Sequence, residues 1–363
     1  MSAIGRLSDV EGLLVGHAHE LDDDATTASE TVPGSGAATG CTVVLAPDGA
    51  VAAADVRGGG PGTRETDLLD PTHTVQHVHG LVLTGGSAYG LSVADGVMRY
   101  LEENGIGVPM GAPGLVVPIV PAAVVFDLPV GDWNVRPDAE FGFRAASSAS
   151  TEFDSGSVGA GVGVRAGCLK GGVGTASLVV KDGPAQGITL SALMVVNPVG
   201  EVFDPRTGLP WGVGSDGPES FGLRVPDPQE LESANELAAK GTVLNTTIGV
   251  VATDAPLGKA ECKRLAVAGH DGLARAIRPA HSPLDGDTIF ALSTGRHDGS
   301  ADPHVVDGSR SPFPSNLAVV DALCREAALV VERVIVDAIV SAISVAGIPA
   351  YRETFPSAFR RDR

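Results

Sequence analysis

Short Val-rich runs of strand length alternate along this chain with longer Ala-rich stretches that have helical periodicity. The stretch from Gly80 reads "GLVLTGGSAYGLSVADGVMRYLEENGIG", in which a strand-like run and a glycine turn lead into a helix that ends near Gly105. Aromatic residues make up only 4% of the sequence, so Val, Ala, Leu and Ile must form most of the core. The alternation predicts an α/β or α+β protein in which helices cover β-sheets.

The same patterns predict the remaining elements and a single large domain. Strands are expected in "GGVGTASLVV", "GITLSALMVV", "IGVVAT" and "DTIFALS", and helices in residues 255–277 and 316–347. Residues 205–230 are polar and rich in Gly and Pro, which predicts a long exposed loop before a short helix. No linker separates two cores, so we expect one domain over residues 1–363 with a mobile segment at 205–240.

Charge and cysteine usage argue against several classes of function. The net charge of −19 repels phosphate backbones, so no nucleic-acid partner is expected. No run of roughly 18 apolar residues occurs, which predicts no membrane span, and the N-terminal stretch lacks the pattern of a signal peptide. Four scattered cysteines without a CxxC pair predict reduced thiols and a cytoplasmic location. They are Cys41, Cys168, Cys262 and Cys324.

Three possible sites fail on their spacing. Ser87 in "GGSAYG" lies in a glycine turn, but a nucleophile elbow requires Gly where Tyr89 stands, so we expect Ser87 to cap a helix. The glycines of residues 156–174 match neither the dinucleotide-binding nor the phosphate-binding pattern. Histidines within residues 17–19 and 73–79 lack the partners of a metal motif and are expected to face solvent. No metal and no cofactor are therefore predicted.

A polar triplet interrupts a predicted core strand in "GTVLNTTIGVVATDAPL". Residues 242–244 and 248–253 have the pattern of two parts of one strand, with Asn245, Thr246 and Thr247 between them. In one interpretation, the hydroxyls simply bond to the backbone at the start of a strand. In the other, the Thr246 hydroxyl attacks the carbonyl of Asn245, and an N-to-O acyl shift followed by hydrolysis cuts the chain.

Cleavage at this point leaves Thr246 with a free α-amine, which supplies the chemistry of the second interpretation. An α-amine has an ordinary pKa of about 8, well below the roughly 10.4 of lysine. It can therefore act as an intramolecular base for the hydroxyl of the same residue near neutral pH. The loop at 205–230 fits this interpretation, because the new chain end must move away to open the site.

Three blocks of sequence carry a resemblance to a known family: "GAGVGVRAGCLKGGVGTASLVV", "NTTIGVVATDAPLGKAECKRLA" and "SPLDGDTIFALSTG". In this order they resemble the DmpA family of N-terminal-nucleophile hydrolases, peptidase family S58. Its members include L-aminopeptidase/D-esterase, β-peptidyl aminopeptidases and the 6-aminohexanoate-oligomer hydrolase, which is closest in motif. The resemblance covers most of the chain. It implies a four-layer αββα sandwich of two packed β-sheets covered by helices, self-cleavage before a Ser or Thr nucleophile, and assembly into tetramers or larger.

The resemblance also implies the residues of the site. Asn245–Thr246 matches the cleavage junction and Thr246 the nucleophile, while Asn197 matches the asparagine that donates to the oxyanion. A polar cluster around the nucleophile is matched by Lys170, Asp285 and Asp287. The two carboxylates are two residues apart, so on one strand they share a face, where they are expected to orient the α-amine of Thr246. Lys170 is expected to balance their charge and keep both ionised.

One stretch departs from the pattern of the aminopeptidases in this family. They carry an acidic residue that holds the free amine of the substrate, in a region that corresponds to "PAAVVFDLPVGDWN" here. Val124 or Val125 stands in place of that acid, and only Asp127 remains. We therefore expect a more apolar pocket and a substrate preference closer to that of an amidase or an endo-acting hydrolase.

These observations favour an autoprocessed amide hydrolase that acts on a small-molecule amide or a short peptide. The precursor is expected to split into residues 1–245 and 246–363, which stay associated and assemble as a tetramer of processed heterodimers. Two alternatives remain open. One is acyl transfer to an amine, as in the structurally related ornithine acetyltransferases, and the other is a non-catalytic scaffold that keeps the fold without cleavage.

Overall fold

The computed structural model describes residues 5–237, 245–297 and 313–359. Within these ranges the strands are β1 (Leu14–Leu21), β2 (Ala38–Val56), β3 (Thr63–Arg64), β4 (His77–Thr84), β5 (Val108–Pro109), β6 (Val116–Val117), β7 (Ala122–Val124), β8 (Arg165–Ala166), β9 (Leu169–Lys170), β10 (Gly172–Val179), β11 (Thr189–Val196), β12 (Ile248–Thr253) and β13 (Thr288–Ser293). The α-helices are α1 (Val93–Glu103), α2 (Ala139–Ser147), α3 (Pro228–Asn235), α4 (Lys259–Ala276), α5 (Leu317–Ser341) and α6 (Tyr351–Thr354). The strands and helices expected from the sequence patterns are confirmed where the structure describes them, except that residues 342–347, at the end of the helix predicted for 316–347, are not helical.

One long strand, β2, connects the two halves of the main sheet. The strand order is β10-β11-β12-β13-β2-β4-β7-β3, and β1 also pairs with β2. Residues 38–45 of β2 pair with β1, whereas residues 51–56 pair with β13. The pairing of β2 with β4 shifts register between Leu45 and Ala50, where an irregularity of this kind bends a strand. The same strand therefore belongs to both halves.

Alternating side chains of these strands form three apolar layers. Residues of both halves meet in an inner cluster, which includes Val44, Leu83, Leu193, Val250 and Phe290. On one outer face, β10 to β13 pack against α4 and α5, and on the other, β2 and β4 pack against α1 and α2. The order of layers is helix, sheet, sheet, helix, so the αββα sandwich is confirmed, with its two sheets joined through β2. None of the described helices combines the length and apolarity that a bilayer span requires.

The exposed loop predicted for residues 205–230 is only partly exposed. Two short 3-10 helices, Trp211–Asp216 and Pro218–Phe221, run through it, and both Phe221 and Leu223 are buried in the cluster that α4 and α5 cover. These apolar residues are spaced too irregularly among Gly and Pro to show a period in the sequence, so the prediction was wrong for them. The short helix that follows is confirmed as α3. The strand start expected at residues 242–244 lies outside the described residues.

The α4–α5 contact yields a test of this packing. A Cβ added at Gly272 of α4 would lie 2.2 Å from the carbonyl oxygen of Ala328 in α5. Gly272→Ala is therefore expected to lower the free energy of unfolding by about 1–3 kcal/mol, since the helices must separate and this exceeds the gain in helix propensity. Urea denaturation measures the effect. Asp271→Ala, at the exposed neighbouring position, should change stability by less than about 0.5 kcal/mol, and equal stability of the two variants would contradict the close contact.

Candidate active site

The polar triplet Asn245-Thr246-Thr247 continues the line of β12 beside the residues that precede β13. Asn245 forms a parallel bridge with Asp285, in the same register as the β12–β13 ladder. The N–H of Asn245 donates to Leu284 O (2.9 Å), and the N–H of Thr288 donates to Thr247 O (3.2 Å). All three residues of the triplet are at least 96% buried. The triplet therefore does not interrupt the sheet but places polar side chains inside it.

The carbonyl of Asn245 accepts two hydrogen bonds. One comes from the Thr246 hydroxyl, the side chain on the other side of the same peptide bond. The other comes from the N–H of Gly286, at 2.8 Å. A Cβ at Gly286 would lie 2.7 Å from Thr246 Oγ1, so a glycine is required for this approach. Two donors on one carbonyl oxygen polarise it in the manner of an oxyanion hole.

Asn197, which directly follows β11, lies beside the nucleophile expected from the sequence. Its backbone carbonyl accepts the N–H of Thr246 at 3.0 Å. Its side-chain Oδ1 accepts the N–H of Arg165 (2.9 Å), and its Nδ2 donates to Phe126 O (3.2 Å). These two contacts assign Oδ1 as the acceptor and Nδ2 as the donor of the side-chain amide. Asn197 and Thr246, which are far apart in sequence, are thus brought together.

The two expected carboxylates are both buried but bind different groups. Asp287 Oδ1 accepts the N–H of Thr247 at 2.7 Å, one residue beyond Thr246. Asp285 instead accepts the N–H groups of Val199 (3.1 Å) and Ser282 (3.0 Å). Burial, and then the neighbouring charge of Asp287, raise the pKa of Asp285. Contact of either carboxylate with the α-amine of Thr246 stays a prediction for the cleaved chain.

Lys170 is fully buried but does not serve as the counter-charge that was expected. Its Nζ donates to the carbonyls of Gly161 (2.6 Å) and Gly171 (2.9 Å), and its charged neighbour is Asp127 rather than the Asp285–Asp287 pair. Burial lowers the pKa of Lys170 to about 7, partly opposed by Asp127. The sequence pattern could not predict these contacts, because they depend on where the carbonyls of Gly161 and Gly171 lie in the folded chain.

Asp127 is the one acid that remains in the stretch where this sequence differs from the aminopeptidase pattern. It is 2% exposed. Its carboxylate accepts the Thr39 hydroxyl (2.6 Å) and the N–H of Gly86 (2.6 Å), and burial raises its pKa. This carboxylate is therefore committed to internal hydrogen bonds. This geometry agrees with the prediction that the pocket has no acid here to hold a substrate amine.

Sequence reasoning missed two residues of the site, Gly286 and His281. The ring Nδ1 and the backbone N–H of His281 both lie within hydrogen-bond distance of Asp287 Oδ2, at 2.8 and 3.1 Å. The only sequence signal for either residue was its position within or just before "DGD". A loop contact of this kind has no periodicity, so the pattern of the sequence does not reveal it.

Other local predictions were wrong in detail. Gly86, not Ser87, is the N-cap of the 3-10 helix Ser87–Ser92. Two histidines expected at the surface are packed inside: His79 is 7% exposed, and His17 bonds Thr42 Oγ1 at 2.9 Å. Burial lowers the pKa of His17 to about 4. The part of the chain that the structure describes contains no cluster of three or more His, Cys, Asp or Glu residues suited to a metal ion.

Comparison with known proteins identifies the family of the chain. The sequence pattern of "Peptidase family S58" matches residues 5–352. A protein named uncharacterized aminopeptidase from Mycobacterium tuberculosis is 51% identical over 357 residues, covering 97% of this chain and 98% of that protein. A 6-aminohexanoate-oligomer endohydrolase from Kocuria sp. is 30% identical over 298 residues, covering 79% of this chain and 78% of that protein.

The fold is also found among solved structures. The L-aminopeptidase D-Ala-esterase/amidase of Ochrobactrum anthropi, described as a variant of the Ntn hydrolase fold, superposes with a TM-score of 0.67. The match covers 97% of this chain and 90% of that one at 20% sequence identity. The chain therefore has the Ntn hydrolase type of fold.

The burial of Lys170 makes stability depend on pH. The unfolded chain keeps the lysine proton up to about pH 10.5, whereas the folded chain releases it near pH 7. Between these values the unfolded state binds more protons, so the contribution of Lys170 to the free energy of unfolding rises with pH. Lys170→Met is expected to flatten this rise, as measured by urea denaturation between pH 6.5 and 9.5. The exposed Lys181→Met should leave the slope unchanged, and an unaltered slope in Lys170→Met would contradict the assignment.

Proposed function

Because the chain belongs to peptidase family S58, we propose that it is an amide hydrolase that cleaves its own Asn245–Thr246 bond. The new N-terminal Thr246 then serves as the nucleophile toward substrate. The observation that carries this proposal is the carbonyl of Asn245, held between the Thr246 hydroxyl and the N–H of Gly286. A strand that served only packing would not require a hydroxyl and a glycine N–H on the same buried carbonyl.

Self-cleavage follows from these contacts. Thr246 Oγ1 attacks the carbonyl carbon of Asn245, and the C–N bond breaks as a C–O ester bond forms. The departing nitrogen keeps its hydrogen and takes up the hydroxyl proton, which makes it the free α-amine of Thr246. Gly286 N–H stabilises the oxyanion, an interaction worth on the order of 3 kcal/mol. Water then hydrolyses the ester, which leaves a carboxylate on Asn245 and regenerates the hydroxyl.

The same groups serve the second reaction. The α-amine of Thr246, with an ordinary pKa of about 8, takes the hydroxyl proton as the hydroxyl attacks a substrate carbonyl. The carbonyl of Asn197, which already accepts the N–H of Thr246 at 3.0 Å, holds this nitrogen in place. The side-chain amide of Asn197 donates to the oxyanion of the substrate. Water releases the acyl group from the ester and completes the cycle.

The two fragments, 1–245 and 246–363, stay together because the cut lies inside a shared core. The strands β12 and β13 belong to the second fragment, yet they pair with β11 and β2 of the first. The inner apolar cluster contains residues of both fragments. The tetramer of processed heterodimers and the cytoplasmic location belong to this proposal as implications of the family resemblance and the cysteine pattern.

The substrate class follows from the relatives and from Asp127. Related proteins are named as an aminopeptidase and as an oligomer endohydrolase, so small amides and short peptides are the substrates proposed here. The carboxylate of Asp127 is occupied by Thr39 and Gly86, which leaves no acid there to hold a free substrate amine. This favours amidase or endo-type action over removal of single N-terminal residues.

Replacement of Thr246 tests the nucleophile. Thr246→Ala removes the attacking oxygen, so the purified protein should remain one chain of full length and lose turnover by at least about 1,000-fold. Thr246→Ser keeps the hydroxyl and should still yield two fragments. Intact mass and N-terminal sequencing of the second fragment measure both outcomes. Fragments that begin at residue 246 in the Thr246→Ala variant would refute the proposal.

A matched pair of p-nitroanilides tests the substrate preference. Alanine p-nitroanilide carries a free amine, whereas N-acetyl-alanine p-nitroanilide does not. Because no acid is available to bind the amine, kcat/KM for the acetylated compound should equal or exceed that for the free amine. Addition of ornithine should not accelerate release of p-nitroaniline. Acceleration with formation of an acylated ornithine would instead identify an acyltransferase.

A further inference from the structure

Both carboxylate oxygens of Asp287 accept hydrogen bonds, and His281 donates two of them to the same oxygen. Asp287 Oδ2 accepts the backbone N–H of His281 (3.1 Å) and lies 2.8 Å from the ring Nδ1 of the same residue. Asp287 Oδ1 accepts the N–H of Thr247 at 2.7 Å. The carboxylate is 1% exposed, so water does not compete for it. It therefore links His281 to the peptide group that follows the nucleophile.

The backbone of His281 adopts an unusual conformation. Its φ is 57°, in the left-handed region that non-glycine residues seldom occupy. Such conformations cost free energy and persist where the surrounding structure requires them, often at functional sites. Here this conformation brings the ring and the backbone N–H of one residue onto one carboxylate oxygen.

The surroundings hold the ring of His281 in place. Nδ1 faces a carboxylate and donates to it, while Nε2 is buried without a hydrogen-bond partner among the described residues. The ring packs edge to face on His270, with centroids 4.8 Å apart, and burial lowers the pKa of His270 to about 4. The ring therefore serves as a donor to Asp287.

Other charged groups lie near this pair. The neighbouring charge of Asp287 helps to raise the pKa of Asp285. Beyond His270, the carboxylate of Asp55 pairs with Lys263 (2.7 Å) and Arg57 (2.9 Å). The two donors of His281 therefore help to hold Asp287 beside a second carboxylate. Loss of the ring would leave the Asp287 carboxylate with one donor fewer.

We propose that His281 is the positioning residue of this active site, which holds Asp287 as the acceptor for Thr247 N–H and so sets the orientation of Thr246. The inference rests on the proposed function of Thr246. Without the ring, the peptide group after Thr246 loses its anchor, and the hydroxyl shifts relative to the carbonyl it attacks. A displacement of about 1 Å at a reacting atom costs on the order of 100-fold in rate.

The test compares His281→Ala with His281→Asn in processed protein at pH 8, using the better p-nitroanilide as probe. For His281→Ala, kcat should fall about 10- to 100-fold while KM changes less than about threefold. His281→Asn retains a side-chain N–H donor and tolerates the left-handed region, so it should recover most of the lost rate.

His297→Ala is the matched control. His297 lies at the opposite end of the β12–β13 pair, with Nδ1 3.9 Å from Asp254 Oδ2, and its loss should leave kcat and KM unchanged. If His281→Ala keeps the parental kcat, or if His281→Asn does not restore it, the proposal is overturned. Activity in Thr246→Ala would instead overturn the proposed function. The two failures are therefore distinguishable.

Discussion

The active site depends on how tightly one peptide segment, Asn245 to Thr247, is held inside the sheet. Its backbone groups form hydrogen bonds with the ends of two neighbouring strands. One partner is Asn197, which follows β11, and the others lie in residues 284–288, which lead into β13. The register explains this arrangement, because Val195 pairs with Ile248, and Ile248 pairs with Thr288. A hydroxyl in such a segment has little freedom, so the position of Thr246 relative to its own carbonyl follows from strand pairing.

Buried charges in this region are stabilised mainly by backbone groups rather than by opposite charges. Lys170 donates to two glycine carbonyls, and Asp285 accepts two backbone N–H groups. Such contacts need close approach of the main chain, which a Cβ would obstruct: one added at Gly171 would lie 2.0 Å from the carbonyl oxygen of Val196. A glycine of residues 156–174, a segment that matches no phosphate-binding pattern, thus has a structural reason.

Much of the fold and part of the site were predictable from local pattern. The hydrophobic period identified helices such as α4, because burial on one face of a helix imposes a period on the sequence. Short apolar runs identified strands such as β12, which is buried along its whole length. Thr246, Asn197 and Asp287, named from the family resemblance, lie close together in the fold, and their catalytic roles stay predictions. The partner of Lys170 and the contact of His281 were not predictable, because each depends on the path of a loop, and loop conformation leaves no period.

The sequence by itself determined the layers of helix and sheet and the chemical type of the proposed nucleophile, since hydrophobic period and the Asn-Thr-Thr triplet are local properties. Only the tertiary structure decided which groups surround that triplet. Long-range pairing through β2, β11 and β13 brings Asn197, Gly286 and Asp287 to residues 245–247 from distant parts of the chain. Hydrogen bonds act over about 3 Å, so these partners exist only once the strands are in register.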